Sequence, residues 1–175
     1  MVWFLVRCLF AMFENAMKAT FEAAIHIRKL DWPKSWITAA IGSFSWTLCG
    51  RRGHPLGNIA NEGDVKKYPF VIPFSVTSDG FRQGEDQCPL PIRQRVAGDE
   101  AQTAEVGLQL VAHSDQLIFV PEIMIKNRIE QGELQKIKVR QWHPVRDTLS
   151  LSAQADSVPQ RLFEQLIKTC ERLTI

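Results

Sequence analysis

Imidazole, thiol, carboxylate and hydroxyl groups are the usual raw material of a reactive site, and their spacing here does not assemble one. His54, His113 and His143 are scattered, with no ligand-like spacing to one another or to a cysteine. His54 sits in a His-Pro-Leu turn and reads as a turn residue. Cys8, Cys49, Cys88 and Cys170 include no Cys-x-x-Cys pair, so neither a zinc site nor a disulfide framework is implied. Reduced, partly buried thiols in a cytosolic protein are the simpler reading. There is no GxGxxG, no P-loop and no GxSxG. Asp115 and Glu122 flank an apolar run without a visible partner. With no nucleophile and base in a common pattern, the expectation is a protein that is not an enzyme and carries no cofactor or metal. Trp32, Trp36 and Trp46 could form an aromatic platform, but irregular spacing and apolar neighbours favour packing.

The bulk numbers are those of an ordinary globular protein. The 175 residues are 45% hydrophobic and 23% charged, an ordinary globular mixture, enough for one domain or two small lobes. Net charge is +2, and no basic stripe marks a nucleic-acid surface. Arg51/Arg52 and Lys66/Lys67 read as solvated surface. The apolar run at residues 1–10 has Arg7 inside it and no small-x-small site after it, unlike a signal peptide. It is also shorter than the ~20 residues that span a bilayer. It reads as a buried strand running into a helix.

The elements that must position any site follow from periodicity. Strands are expected at residues 2–6, 23–27, 46–49, 68–73, 92–97, 117–121 and 134–139, with Leu149, Leu151 and Ala153 alternating against Ser150, Ser152 and Gln154 in another. Helices are expected at 11–21 and 122–131, the latter ended by Gly132. A further helix would start at Asp99 as N-cap, with Gln102 in capping-box position and Ala101, Ala104, Leu108 and Val111 on one face. The last helix begins at Pro159, with Leu162, Phe163, Leu166, Ile167, Cys170 and Leu173 inward. Residues 75–91 read as a long loop. Strands alternating with helices argue for α/β architecture with parallel sheets covered on both faces.

The order of these segments resembles the effector-binding domain of LysR-type bacterial transcriptional regulators. Arg52-Gly-His-Pro-Leu56 followed by Tyr68-Pro-Phe-Val-Ile-Pro73 is similar to the family's crossing between lobes, written "hPLa" and then "yPfi.p". Residues 106–122 resemble its "v..G.Gia.lPe" segment, with Ser114-Asp-Gln116 replacing the usual glycines. Glu133-Leu134 after Gly132 matches its "G.L" step. Ala23-Ala-Ile-His-Ile27 sits where the family has "lDlaI", and Asp31-Trp32-Pro33 is similar to relatives of the glycine-cleavage activator. No one motif is specific; order and spacing over nearly the whole chain carry the resemblance.

It implies a two-lobed fold like type 2 periplasmic binding proteins with ligand in the interlobe cleft. Residues 1–68 and 145–175 would form the first lobe and 69–144 the second. Ligand would lie at strand carboxyl ends and helix N-termini, where free N–H groups favour anions. The effector-binding candidates are then His26 and Arg28, Ser75 and Thr77, and Gln102 and Thr103. A structural histidine competes at His26, and turn capping competes at Ser75 and Thr77. Asp99 is occupied as the cap. The implied function is effector sensing in the cytoplasm by a homo-oligomer, dimer or tetramer, with no membrane partner and with DNA bound only through a helix-turn-helix domain. Full-length members carry that domain, a linker helix and a first strand and helix ahead of the point corresponding to Met1. A fragment, truncated gene or misplaced start is therefore expected, with an incomplete, self-associating first lobe. A free-standing solute-binding protein, or a remnant acting only by association, are the alternatives.

Overall fold

The computed structural model describes residues 21–27, 32–77, 80–83 and 86–173, which fall into two compact units. Unit 1 comprises Met1–Phe44 and Arg146–Ile175; unit 2 is Ser45–Val145. The strand and helix expected at 2–6 and 11–21 lie outside the described residues, apart from Phe21.

In unit 1, β1 (Ala23–Ile27) pairs antiparallel with β9 (Arg146–Gln154), Ile25 opposite Leu151, and β9 neighbours the first part of β2 (Trp36–Arg51). Helix α4 (Gln160–Leu173) follows Pro159, whose carbonyl accepts from Leu162 and Phe163 N–H groups. Phe163, Leu166, Ile167 and Cys170 recur at helical spacing and pack with Ile41, Leu151, Ala153 and Val158. Leu162, expected inward, is 45% exposed because it falls one position off that stripe. The side chain of Leu173 lies outside the described residues.

In unit 2, the rest of β2 lies between β7 (Ile118–Pro121) and β8 (Leu134–Val139), antiparallel to both, with Leu48 opposite Phe119 and Ile137. A short β3 (Ile59–Ala60) runs parallel to β8. A three-stranded sheet has β4 (Pro69–Thr77) in the centre, antiparallel to β5 (Gly80–Gln83) and parallel to β6 (Val96–Ala101). Three helices complete the unit: α1 (Glu62–Val65), α2 (Ala104–Ala112) and α3 (Lys126–Glu130). Successive residues of a strand point to opposite faces. Phe70 and Ile72 therefore enter one core with Leu48, Leu90 and Phe119, while Val71 enters another with Cys49, Leu108, Ile118 and Val120. Burial on both faces explains why 117–121 and 68–73 read as unbroken apolar runs.

Several expectations change. The sheets are mixed, with antiparallel pairs outnumbering parallel ones among the described strands. The strand expected at 92–97 is a 3-10 turn at Ile92–Gln94 followed by β6, and the loop at 75–91 contains the β4–β5 hairpin. The helix expected at 122–131 is a 3-10 turn, Glu122–Met124, followed by α3; Gly132, at φ 76, ends it as expected. Residues 45–68, assigned from sequence to the first lobe, pack within unit 2, because the second part of β2 pairs there.

Candidate functional site

In unit 2 the candidates gather at one end of a strand pair. Strands β4 and β6 run parallel with Pro73 beside Ala101, so both chains leave the pair in the same direction. Ser75 and Thr77 continue along β4, their backbones opposite Arg82 and Gly80 of β5; their side chains lie outside the described residues. On the other strand, Gln102 and Thr103 follow β6 at once and lead into α2. This is the carboxyl end of a parallel pair, where α/β folds place ligands.

The capping assignment needs correcting. Thr103, not Asp99, is the N-cap of α2: its Oγ1 accepts from Val106 N–H at 3.3 Å, and its carbonyl accepts from Gly107 N–H at 3.1 Å. Asp99 is inside β6, since pairing with β4 holds residues 96–101 extended. Its carboxylate accepts from Gln116 Nε2 at 2.6 Å, and its N–H donates to Gln116 Oε1 at 2.8 Å. Ala101, assigned to the helical stripe, is the buried end of β6. Gln102 is exposed and makes no capping box. Around Thr103, the first N–H groups and the helix dipole present positive potential. Glu105 in that first turn is paired with Arg128.

His26 belongs to unit 1 and is 4% exposed. Trp32 Nε1 donates to His26 Nε2 at 3.2 Å, which makes Nε2 an acceptor and puts the ring proton on Nδ1. Ser152 Oγ lies 2.8 Å from the same Nε2 and 2.6 Å from Thr38 Oγ1. Trp32 stacks on Trp36 with ring centres 4.5 Å apart. Ser152, read from sequence as part of the polar face, is completely buried. Alternation gave no signal for it, because a serine between apolar residues marks the solvent face unless a partner is waiting inside. Arg28 lies outside the described residues.

Two further clusters escaped sequence reasoning. Arg95 and Asp86 form a two-pronged pair at 2.6 Å on each prong, with Arg95 Nε donating to Leu90 O at 2.7 Å and the guanidinium 5.1 Å from the Phe70 ring centre. His54 is 2% exposed; Leu56 N–H donates to its Nδ1, so Nε2–H donates to Asp115 O, each at 3.1 Å. Burial holds the His54 pKa below its ordinary value, against the opposing pull of the Asp115 carbonyl and carboxylate. Among the described residues no cluster of three or more His, Cys, Asp and Glu side chains could hold a metal, and no helix is long and apolar enough to cross a membrane.

The described elements make a mixed α/β chain. The family model for the LysR substrate binding domain matches residues 13–174, and the chain belongs to that family. The OxyR2 regulatory domain from Vibrio vulnificus is similar at TM-score 0.69 and 15% identity, covering 94% of this chain and 78% of that one. A probable transcriptional regulator from Pseudomonas aeruginosa matches at TM-score 0.67 and 14% identity over 91% of this chain, which spans about half (52%) of that protein. The regulatory domain of MetR, a LysR family regulator from N. meningitidis, matches at TM-score 0.59 and 10% identity, over 91% and 73% of the two chains. No curated protein matches in sequence. The α/β fold class expected from the sequence is that of these domains.

Proposed function

We propose that this chain is the effector-sensing part of a LysR-type transcriptional regulator and acts by binding a small anionic metabolite rather than by catalysis. The observation that carries the reading is the convergence of Ser75, Thr77, Gln102 and Thr103 on the carboxyl end of the β4–β6 pair, beside the N-terminus of α2. Hydroxyl and amide donors with the α2 dipole suit a carboxylate. His26, tied to Ser152 and Trp32, is a conformationally fixed imidazole that supports unit 1 and reaches ligand only if those bonds open. In the intact regulator, oligomerisation would relay binding to a helix-turn-helix domain in the cytoplasm. That relay requires a ligand with different affinity for two arrangements of the sensor.

The test is thermal unfolding of the chain against a panel of amino acids and organic acids. A ligand at about 100 times its Kd adds about 2.7 kcal/mol, a rise of roughly 5–11 °C for a chain this size. The Thr103→Ala/Gln102→Ala variant is expected to lose most of the ligand-induced rise, whatever its own melting temperature. No shift with any compound, or an undiminished rise in that variant, would overturn the proposal.

A further inference from the structure

The opposite end of α2 holds a second feature that the sensing site does not use. A pocket of about 360 Å³ in unit 2 is lined by Arg51, Arg52, Gln109, His113, Gly132 and Glu133. Chain geometry builds it from three segments. Arg51 ends β2 and Arg52 starts the turn at Gly53, at φ 69. His113 is the C-cap of α2. Gly132 closes α3, and Arg52 N–H donates to Glu133 O at 2.8 Å, fixing the turn against it. The Arg52 side chain lies across Gly132: its Nη1 and Cδ are 3.5 and 3.7 Å from where a Cβ at that position would stand.

The charges in and around the pocket do not cancel. Glu133 is held by Arg128 at 3.2 Å, and Asp115 by Arg51 Nε at 2.8 Å. Arg51 Nη1 is further occupied by the carbonyls of Arg52 and Gly53, both at 3.1 Å. The guanidinium of Arg52, the imidazole of His113 and the carboxamide of Gln109 then have no partner among the described residues. The negative end of the α2 dipole opposes an anion here. However, the Leu110 carbonyl already accepts from His113 N–H and Ser114 Oγ, and the Val111 carbonyl accepts from Ser114 N–H. A whole unpaired guanidinium outweighs what remains of a half charge.

We propose that this pocket is a second binding site, for the phosphate or carboxylate oxyanion of a small metabolite, gripped by the Arg52 fork with His113 and Gln109 as further hydrogen-bond donors. A planar guanidinium matches two oxygens of such a group at once. The volume falls within the roughly 300–1,000 Å³ of small-molecule sites. The nine residues of α2 separate it from Thr103 by about 13 Å of helix, so it is distinct from the sensing site and stands or falls on different residues.

Nitrogen-15 NMR of the whole chain tests it, with inorganic phosphate and citrate titrated separately at constant ionic strength. The expected result is saturable shifts at Arg52, Gln109 and His113 with at least one of the two anions. Arg52→Gln should weaken that binding by about tenfold or more, the loss of a charge-assisted contact. His113→Gln should weaken it less, and Lys138→Gln, a surface cation on β8, should not change it. Saturation with phosphate alone assigns a phosphate-bearing ligand, and saturation with citrate alone a carboxylate. Shifts that stay linear in anion concentration, or that are the same in Arg52→Gln, would overturn the proposal. The Thr103→Ala/Gln102→Ala variant is expected to keep this binding, which separates its failure from that of the sensing site.

Discussion

Asp86→Ala removes one partner of an ion pair that is almost wholly out of water. The side chains of Arg95 and Asp86 are 1% and 9% exposed. Truncation orphans both Nη groups of Arg95 and the Cys88 N–H, which donates to Asp86 Oδ1 at 3.0 Å. The Leu90 carbonyl and the Phe70 ring remain, and neither carries a compensating charge. Leaving a buried charge unpaired costs about 3–5 kcal/mol. Native stabilities are about 5–15 kcal/mol, so unit 2 would lose a large part of its margin. With a urea dependence of about 2 kcal/mol per molar, the midpoint should fall by about 2 M. Circular dichroism across a urea series reads this directly. The double variant Asp86→Ala/Arg95→Met also removes the stranded charge and should recover most of the loss, because the pair itself contributes little net stability. A fall of less than about 0.5 M for Asp86→Ala would refute the reasoning, as it would mean that water or another group already compensates Arg95.

Gly98→Ala should lower the melting temperature by about 5 °C, for a cost of about 1–3 kcal/mol. A Cβ there meets the Phe70 carbonyl at 2.9 Å and the Gln116 amide that clamps Asp99, and a backbone oxygen in a sheet cannot step aside. An unchanged melting temperature would show that β6 can shift. His54 gives a pH dependence whose sign follows from burial: it stays neutral in the fold while the unfolded chain takes up a proton below about pH 6.5. Its stabilising contribution is complete above that value and is lost as pH falls towards its lowered folded-state pKa. Urea midpoints at about pH 7.5 and about pH 5.5 should therefore differ less in His54→Asn than in the parent chain, and an equal slope would exclude His54 as the source. Burial pushes the Cys49 thiol up to about 12 despite Arg128 nearby, and the Cys88 thiol also to about 12. Neither should be alkylated by iodoacetamide at neutral pH until urea is added, since the thiolate is the reactive form. Rapid labelling of the folded chain, mapped by mass spectrometry, would contradict that burial.

Local chemistry settled much of this protein in advance. Periodicity marked β1, β7, β8, β9 and α4, and Gly132 and Pro159 marked a helix stop and a helix start, because these signals need only neighbours in sequence. The ordered run from His54-Pro-Leu56 through Tyr68-Pro73 to Glu133-Leu134 was enough to indicate the family. Long-range pairing decided the rest. Residues 96–101 carry Asp and Gly and look like the approach to a helix; the parallel partner β4 makes them a strand and moves the cap from Asp99 to Thr103. Of the candidate site, Gln102 and Thr103 were legible as polar residues at a helix start, read as its first turn behind an Asp99 cap, but their place beside the end of β4 depends on the register of Pro73 with Ala101. Ser152 could not be told from a surface serine until β1 brought His26 across to it. Asp86, Arg95 and Arg52 carry no pattern of their own: whether a charge is buried, paired or left facing a pocket is fixed by which distant groups the fold brings within hydrogen-bonding distance.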